Sequence, residues 1–169
     1  MSTTRLAVTS TALAALAVIL TTAMTTQTAI ADTALLITKK SSVSVPETLN
    51  RLEKALTTKG IKIFARVDHS AGGKSVDLEL PPTELLIFGN PKLGTPLMQS
   101  ARAIGIDLPM KALAWQDADG TVYLSYNNPD ALKARHAIAD RDAVFAKMTK
   151  ALDAMTNKAT GAESEKDAK

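Results

Sequence analysis

Apolar and polar positions divide the chain into a long apolar run, a stretch of mixed strand and helix periods, and a charged end. Residues 40–45 ("KSSVSV") alternate polar and apolar, which predicts a half-buried strand. Pro46 then stands where a helix can begin, because its missing N–H is not needed there. Leu49, Leu52 and Leu56 recur at helical spacing, and Gly60 supplies a left-handed stop. Residues 61–68 ("IKIFARVD") read as a strand, with Ile61, Ile63, Ala65 and Val67 on one face. "HSAGGKSVDLELPP" reads as a loop with room for a short helical turn. "TELLIF" is apolar on both faces, as in a central strand.

A second helix is expected over residues 95–104, with Thr95 as N-cap, Pro96 at its first position and Gly105 as stop. "MKALAWQ" and "TVYLSYN" are strands joined by "DADG", a hairpin turn that would bring Trp115 and Tyr123 together on one face. Asn128-Pro129 opens a short helix to His136. Asp140 is expected to cap the last helix, where Val144, Phe145, Met148, Leu152 and Met155 form one apolar stripe. The order βαββαββα predicts an α+β domain of two layers, a twisted and mainly antiparallel sheet with helices on one face.

The ends change this picture. Arg5 is the sole charge in the first 31 residues, and an apolar run over residues 6–20 leads to a small-x-small site at Ala29-Ile30-Ala31. That order is a secretory signal peptide, so the mature chain is expected to begin at Asp32, without a membrane anchor, in the periplasm or outside the cell. Without Arg5 the 20 basic residues become 19 against 17 acidic ones, a net charge of +2. No Lys/Arg stripe and few aromatics accompany it, which argues against a nucleic-acid surface. With no Cys, the chain has no disulfide and no thiolate chemistry. Residues 157–169 are small and charged and are expected to form a disordered tail. One domain over residues 39–156 remains.

"IFGNPKLGTPLM" holds Gly89 and Gly94 at the glycine spacing of a phosphate-cradling loop. Thr95-Pro96 stands where that loop needs a lysine and free N–H groups, so the nucleotide reading fails. The stretch reads as a turn at Asn90-Pro91 before a helix, and Gly94 matters to the fold if it needs a positive φ. A small anion beside Asn90, Lys92 and Thr95 is the surviving ligand reading. Asp68-His69 ends the second strand, where a carboxylate beside an imidazole suits an acid–base pair or part of a metal site. Neighbours on a strand point to opposite faces, so a strand-end hydrogen bond to the following Ser70 or to loop amides is the simpler role. No Gly-x-Ser-x-Gly elbow and no paired-His spacing appears. His136 reads as a helix-ending histidine, and Met98, Met110, Met148 and Met155 as core.

The segments "DHSA", "FGNPKLGTPLM", "IDLPMKALAWQDADG" and "SYNNP", with "ARH" before the last helix, resemble the domain of unknown function 302 family over most of residues 47–136. The sequence departs from that pattern at Gly73, where Ala is expected, and at Asp77, where Gly is expected. The resemblance implies a β-α-β4-α arrangement like that of TATA-box-binding folds, commonly dimeric, with no assigned activity. The chain is therefore expected to be an exported, non-enzymatic homodimeric module that binds a small ligand or an envelope protein, with no cofactor, metal or catalytic residue assigned. The alternative is an enzyme or metal-binding protein using Asp68, His69 and the "GNPKLGTP" segment. An active site of that kind needs the two to converge.

Overall fold

In the computed structural model, which describes residues 34–162, the first strand starts earlier than its alternation suggests. Strand β1 covers Leu36–Ser41, because its lysines belong inside the strand and not before it. Lys39 donates its ammonium to Asp153 and Asn157 of the last helix. The serines after it make the helix start: Ser44 accepts the Glu47 N–H, and helix α1 runs Val45–Thr58 with its Leu49, Leu52 and Leu56 buried. Gly60 takes φ +69, the left-handed turn expected of it.

Strand β2, Lys62–Asp68, carries a bulge between Ile63 and Ala65. The extra residue, Phe64, reverses the alternation. Ile63 stands opposite Phe88, but Arg66 stands opposite Leu86 while Ala65 and Val67 pair with Ile87 and Leu85. The single face expected for Ile61, Ile63, Ala65 and Val67 is therefore split. Arg66 instead ties the edge strand to its neighbours, bonding Glu84 at 2.6 Å and Asn50 of α1 at 2.7 Å.

Helix α2 occupies His69–Lys74 and strand β3 Thr83–Gly89. Both departures from the family pattern fall between Asp68 and β3. A Cβ at Gly73 would stand 3.0 Å from the Leu78 carbonyl oxygen, and Asp77 takes φ +57, where a glycine would sit without strain.

Helix α3 runs Pro91–Ser100, one turn before the expected start. Asn90, not Thr95, is its N-cap, accepting the Lys92 N–H at 2.9 Å, and Pro91 fills the first position. Thr95 and Pro96 lie inside the helix, at the cost of one backbone bond. Gly105 does not stop this helix but sits in a short 3₁₀ turn, Arg102–Ile106, before a cis Leu108–Pro109 bond. Strands β4 (Met110–Gln116) and β5 (Val122–Asn127) form the expected hairpin. The Asp117 carboxylate accepts from the Asp119 and Thr121 amides, and Gly120 takes φ +83.

Helices α4 (Pro129–Arg135) and α5 (Asp142–Thr160) complete the fold. Asp140 does not cap α5, because its carboxylate is held by Ser100 and Arg141. The domain also continues past its expected end at residue 156. Ala159 and Thr160 are buried, and the Ser42 N–H bonds the Thr160 carbonyl at 2.9 Å. The rest of the expected tail and the expected signal peptide lie outside the described residues.

The sheet is antiparallel throughout, in the order β1-β5-β4-β3-β2. Helices α1 and α5 pack on it and on each other. Leu86, Ala112, Ala114, Leu124 and Tyr126 face them and are buried. This is the expected α+β fold with one helical layer. The alternate residues Leu85, Ile87, Leu113, Trp115 and Tyr123 are half-buried, and Val67 beside them is exposed, on a second face of the sheet.

Two glycines separate backbone need from sequence appearance. Gly161 ends α5 at φ +73, and a Cβ there would run into the Ser42 hydroxyl. Gly161→Ala is expected to lose about 1 kcal/mol or more in urea unfolding. Gly94 has no positive φ, and a Cβ would meet only Leu108 Cδ1, at 3.6 Å. Gly94→Ala is expected to hold stability or gain about 0.5–1 kcal/mol, the helical advantage of alanine.

Candidate functional site

Gly89 at the end of β3 pairs with Lys62 at the start of β2, and α3 leaves from this end of the sheet. Here the bulged Phe64, Phe88, the first turns of α3, the cis-proline segment and the Met148–Met155 face of α5 enclose a cleft of about 330 Å³. Gly89 permits the close approach at its floor, since a Cβ would stand 3.3 Å from Pro109 and 3.5 Å from the Phe64 ring. Met98, Met110, Met148 and Met155 all line the cleft, and no lining residue carries a charge. Of the methionines read as core from the sequence, Met110, Met148 and Met155 belong both to the core and to the cleft, whereas Met98 is not core but an exposed part of the cleft's edge.

Asn90 and Thr95 contribute the polar side chains of the lining; Lys92 does not line it. The Asn90 carbonyl oxygen is taken up in capping α3, while its amide nitrogen has no hydrogen-bond partner among the described residues. Lys92 is exposed.

Asp68 and His69 lie at the other end of β2, where Asp68 pairs with Glu84. Six strand steps separate that end from Lys62, roughly 20 Å. The structure thus does not bring Asp68 and His69 together with Asn90, Lys92 and Thr95. Asp68 caps α2, and its bond from the Ala71 amide at 2.9 Å holds the carboxyl below its ordinary pKa. His69 follows it as an exposed residue without a hydrogen bond among those described. A shallow hollow beside Asp68 is lined by Lys74, Glu79 and Glu84. Among the described residues no group of three or more His, Asp or Glu side chains is placed to hold a metal.

A buried pair absent from the sequence reading holds one wall of the cleft. Asp107 Oδ2 lies 2.6 Å from His136 Nε2, with side chains 11% and 8% exposed. Arg135 Nη1 donates to the other carboxylate oxygen at 3.3 Å, and Lys111 Nζ donates to the Asp107 and Pro109 carbonyls at 3.1 Å each. These bonds tie the end of α4 to the turn that presents Leu108 and Pro109. The two partners stand 29 residues apart, so no local spacing announces them. On the bare sheet face Trp115 and Tyr123 stack as expected, with ring centroids 4.8 Å apart, and Trp115 Nε1 donates to Ser125 at 3.0 Å.

Removing the carboxylate leaves a buried imidazole without its partner. Asp107→Ala is expected to cost about 1–3 kcal/mol in urea unfolding, the penalty of a buried unsatisfied polar group. A loss no larger than that of an exposed substitution would show that the pair does not hold this wall.

Proteins called fluoride-specific ion channel FluC 1, from Brucella suis biovar 1 (strain 1330) and Brucella abortus biovar 1 (strain 9-941), are each 52% identical to this chain over 103 residues. The match takes in 61% of this chain but only 41% and 38% of theirs, so the chain spans about two fifths of these curated relatives. A crystal structure of an uncharacterized conserved protein DUF302 from Bacillus stearothermophilus superposes with a TM-score of 0.68 at 21% identity, covering 75% of this chain and 98% of that one. It shares the fold. The family described as domain of unknown function DUF302 matches residues 37–155, most of the chain and every strand of the sheet but the first residue of β1. The chain belongs to the domain of unknown function DUF302 family.

Proposed function

We propose that this is an exported, non-enzymatic binding module of the cell envelope that works as a homodimer and meets its partner through the bare face of its sheet. The observation that carries the reading is the composition of that face. Val67, Leu85 and Leu113 lie in register across three strands, with Ile87 one row on between Ala65 and Lys111, and the Trp115–Tyr123 stack on the other side. A contiguous apolar surface of this kind is the mark of an interaction site.

Two further points support the module. The cleft at the end of the sheet has no titratable side chain in its lining, and general acid–base chemistry needs one. The curated relatives place a segment like this one in a longer chain with an ion-channel name. Among the described residues no helix is long and apolar enough to cross a membrane. A domain that serves beside a membrane protein, in the periplasm or outside the cell, fits both facts.

Two measurements test the reading. Native mass spectrometry of the purified protein is expected to give a dimer, and Leu113→Lys, in the middle of the face, a folded monomer. A wild-type monomer, or a dimer indifferent to the lysine, would overturn the interface. The intact mass of the exported protein is expected to begin at Asp32; a species that keeps Arg5 and the apolar run would contradict cleavage.

A further inference from the structure

We propose that the cleft between α3, α5 and the cis-proline segment binds the chain of a free medium-length fatty acid, with its carboxylate held at the rim by Lys62. Size comes first. An apolar cavity of about 150 Å³ takes one benzene ring, so a cleft of about 330 Å³ has room for roughly a dozen carbon atoms at the same filling. The lining suits an unbranched chain. Four methionines from α3, β4 and α5 face it, and their unbranched side chains adapt to a flexible guest.

The second argument is charge. The interior offers no ion and no buried polar side chain, so a charged group has no place at the bottom. The rim differs. Phe64 and Met98, both in the lining, are 47% and 36% exposed, an apolar edge left in water. Lys62 holds its ammonium 5.1 Å from the Phe64 ring centroid and makes no ion pair among the described residues. The amide nitrogen of Asn90, in the lining, adds a donor without a partner. An apolar interior with cationic and donor groups at its edge complements a molecule with an aliphatic tail and an anionic head. A neutral hydrocarbon would use the interior alone, and a small anion the rim alone.

The inference does not depend on the dimer, because the sheet face and the cleft are built from different residues of β3 and β4. The test measures binding of dodecanoate and of dodecanol to the purified protein by calorimetry. Both are expected to bind one per chain, dodecanoate more tightly. Lys62→Gln is expected to weaken dodecanoate about two- to fivefold, the scale of an exposed ion pair, and to leave dodecanol unchanged. Ala151→Phe projects a ring from α5 into the cleft and is expected to lose at least tenfold for both. Its circular dichroism and melting midpoint show whether it folds, and Gly94→Leu fills the cleft from α3 if it does not. Failure of both ligands to bind the parent protein overturns the proposal. So does equal binding by a folded cleft-filling variant. Adhesion to phosphatidylcholine vesicles in place of dodecanoate binding would assign the cleft to a membrane lipid. Loss of the dimer in Ala151→Phe would assign it to a second copy of this chain. Either result overturns the fatty-acid assignment; the second would also move the dimer contact from the sheet face to the cleft, whereas failure of dodecanoate alone leaves the sheet face untouched.

Discussion

The sheet can be covered on one side only, and that constraint organises the rest of the molecule. Five strands at about 4.8 Å spacing make a layer roughly 19 Å wide, and two helices about 10 Å in diameter span nearly the same width. Helices α1 and α5 are those two. The shorter elements α2, α3 and α4 add helix but no second layer, so the remaining apolar side chains of β2, β3, β4 and β5 stay at the surface. Both the bare sheet face and the cleft follow from this shortage of cover. The small residues Ala112 and Ala114 in β4 let the helical layer sit close where it does cover.

The parts of the fold legible in the sequence are those fixed by local backbone chemistry. Gly60 and Gly120 needed positive φ and have it, and the "DADG" turn closes through its own Asp117. The leucine stripe of α1 and the Phe145–Met155 stripe of α5 are buried as their spacing requires. The structure departs from the sequence pattern where two local signals compete. Asn90-Pro91 and Thr95-Pro96 both look like helix starts, and the earlier one won because the Asn90 side chain caps the Lys92 amide. The first strand was expected over residues 40–45, and its earlier start depends on Lys39 meeting Asp153 and Asn157 from 114 and 118 residues away, which no local pattern announces.

The site was less legible because it is assembled from distant segments. Asn90 and Thr95 do reach the cleft, but as the cap and an inner residue of α3, not as an anion cradle. Asp68 and His69 share a strand end and little else, since the carboxylate is spent on capping α2. The bulge at Phe64 leaves no mark in the sequence, because "IKIFARVD" alternates well without it. Yet that bulge decides which way Phe64 points and hence whether the cleft has a rim. Asp107 and His136 were equally silent, for a carboxylate and an imidazole in separate motifs carry no sign of pairing.

The edges of the sheet sharpen the case for association through its face. An open antiparallel sheet offers two edge strands on which another chain can add. Here β2 is bulged at Phe64, which breaks the regular ladder, and carries Lys62, Arg66 and Asp68 along its length. The opposite edge, β1, is six residues long and carries Lys39 and Lys40. Short length, charge and a bulge are the devices by which edges resist pairing. On the sheet face the charges stand at the border, Lys111 opposite Ile87 and Lys40 opposite Tyr123, and the row Val67, Leu85, Leu113 carries none. With edge addition opposed, the proposed association of two copies would use the sheet face, with Leu85 and Leu113 near its middle and Lys40 and Lys111 at its border.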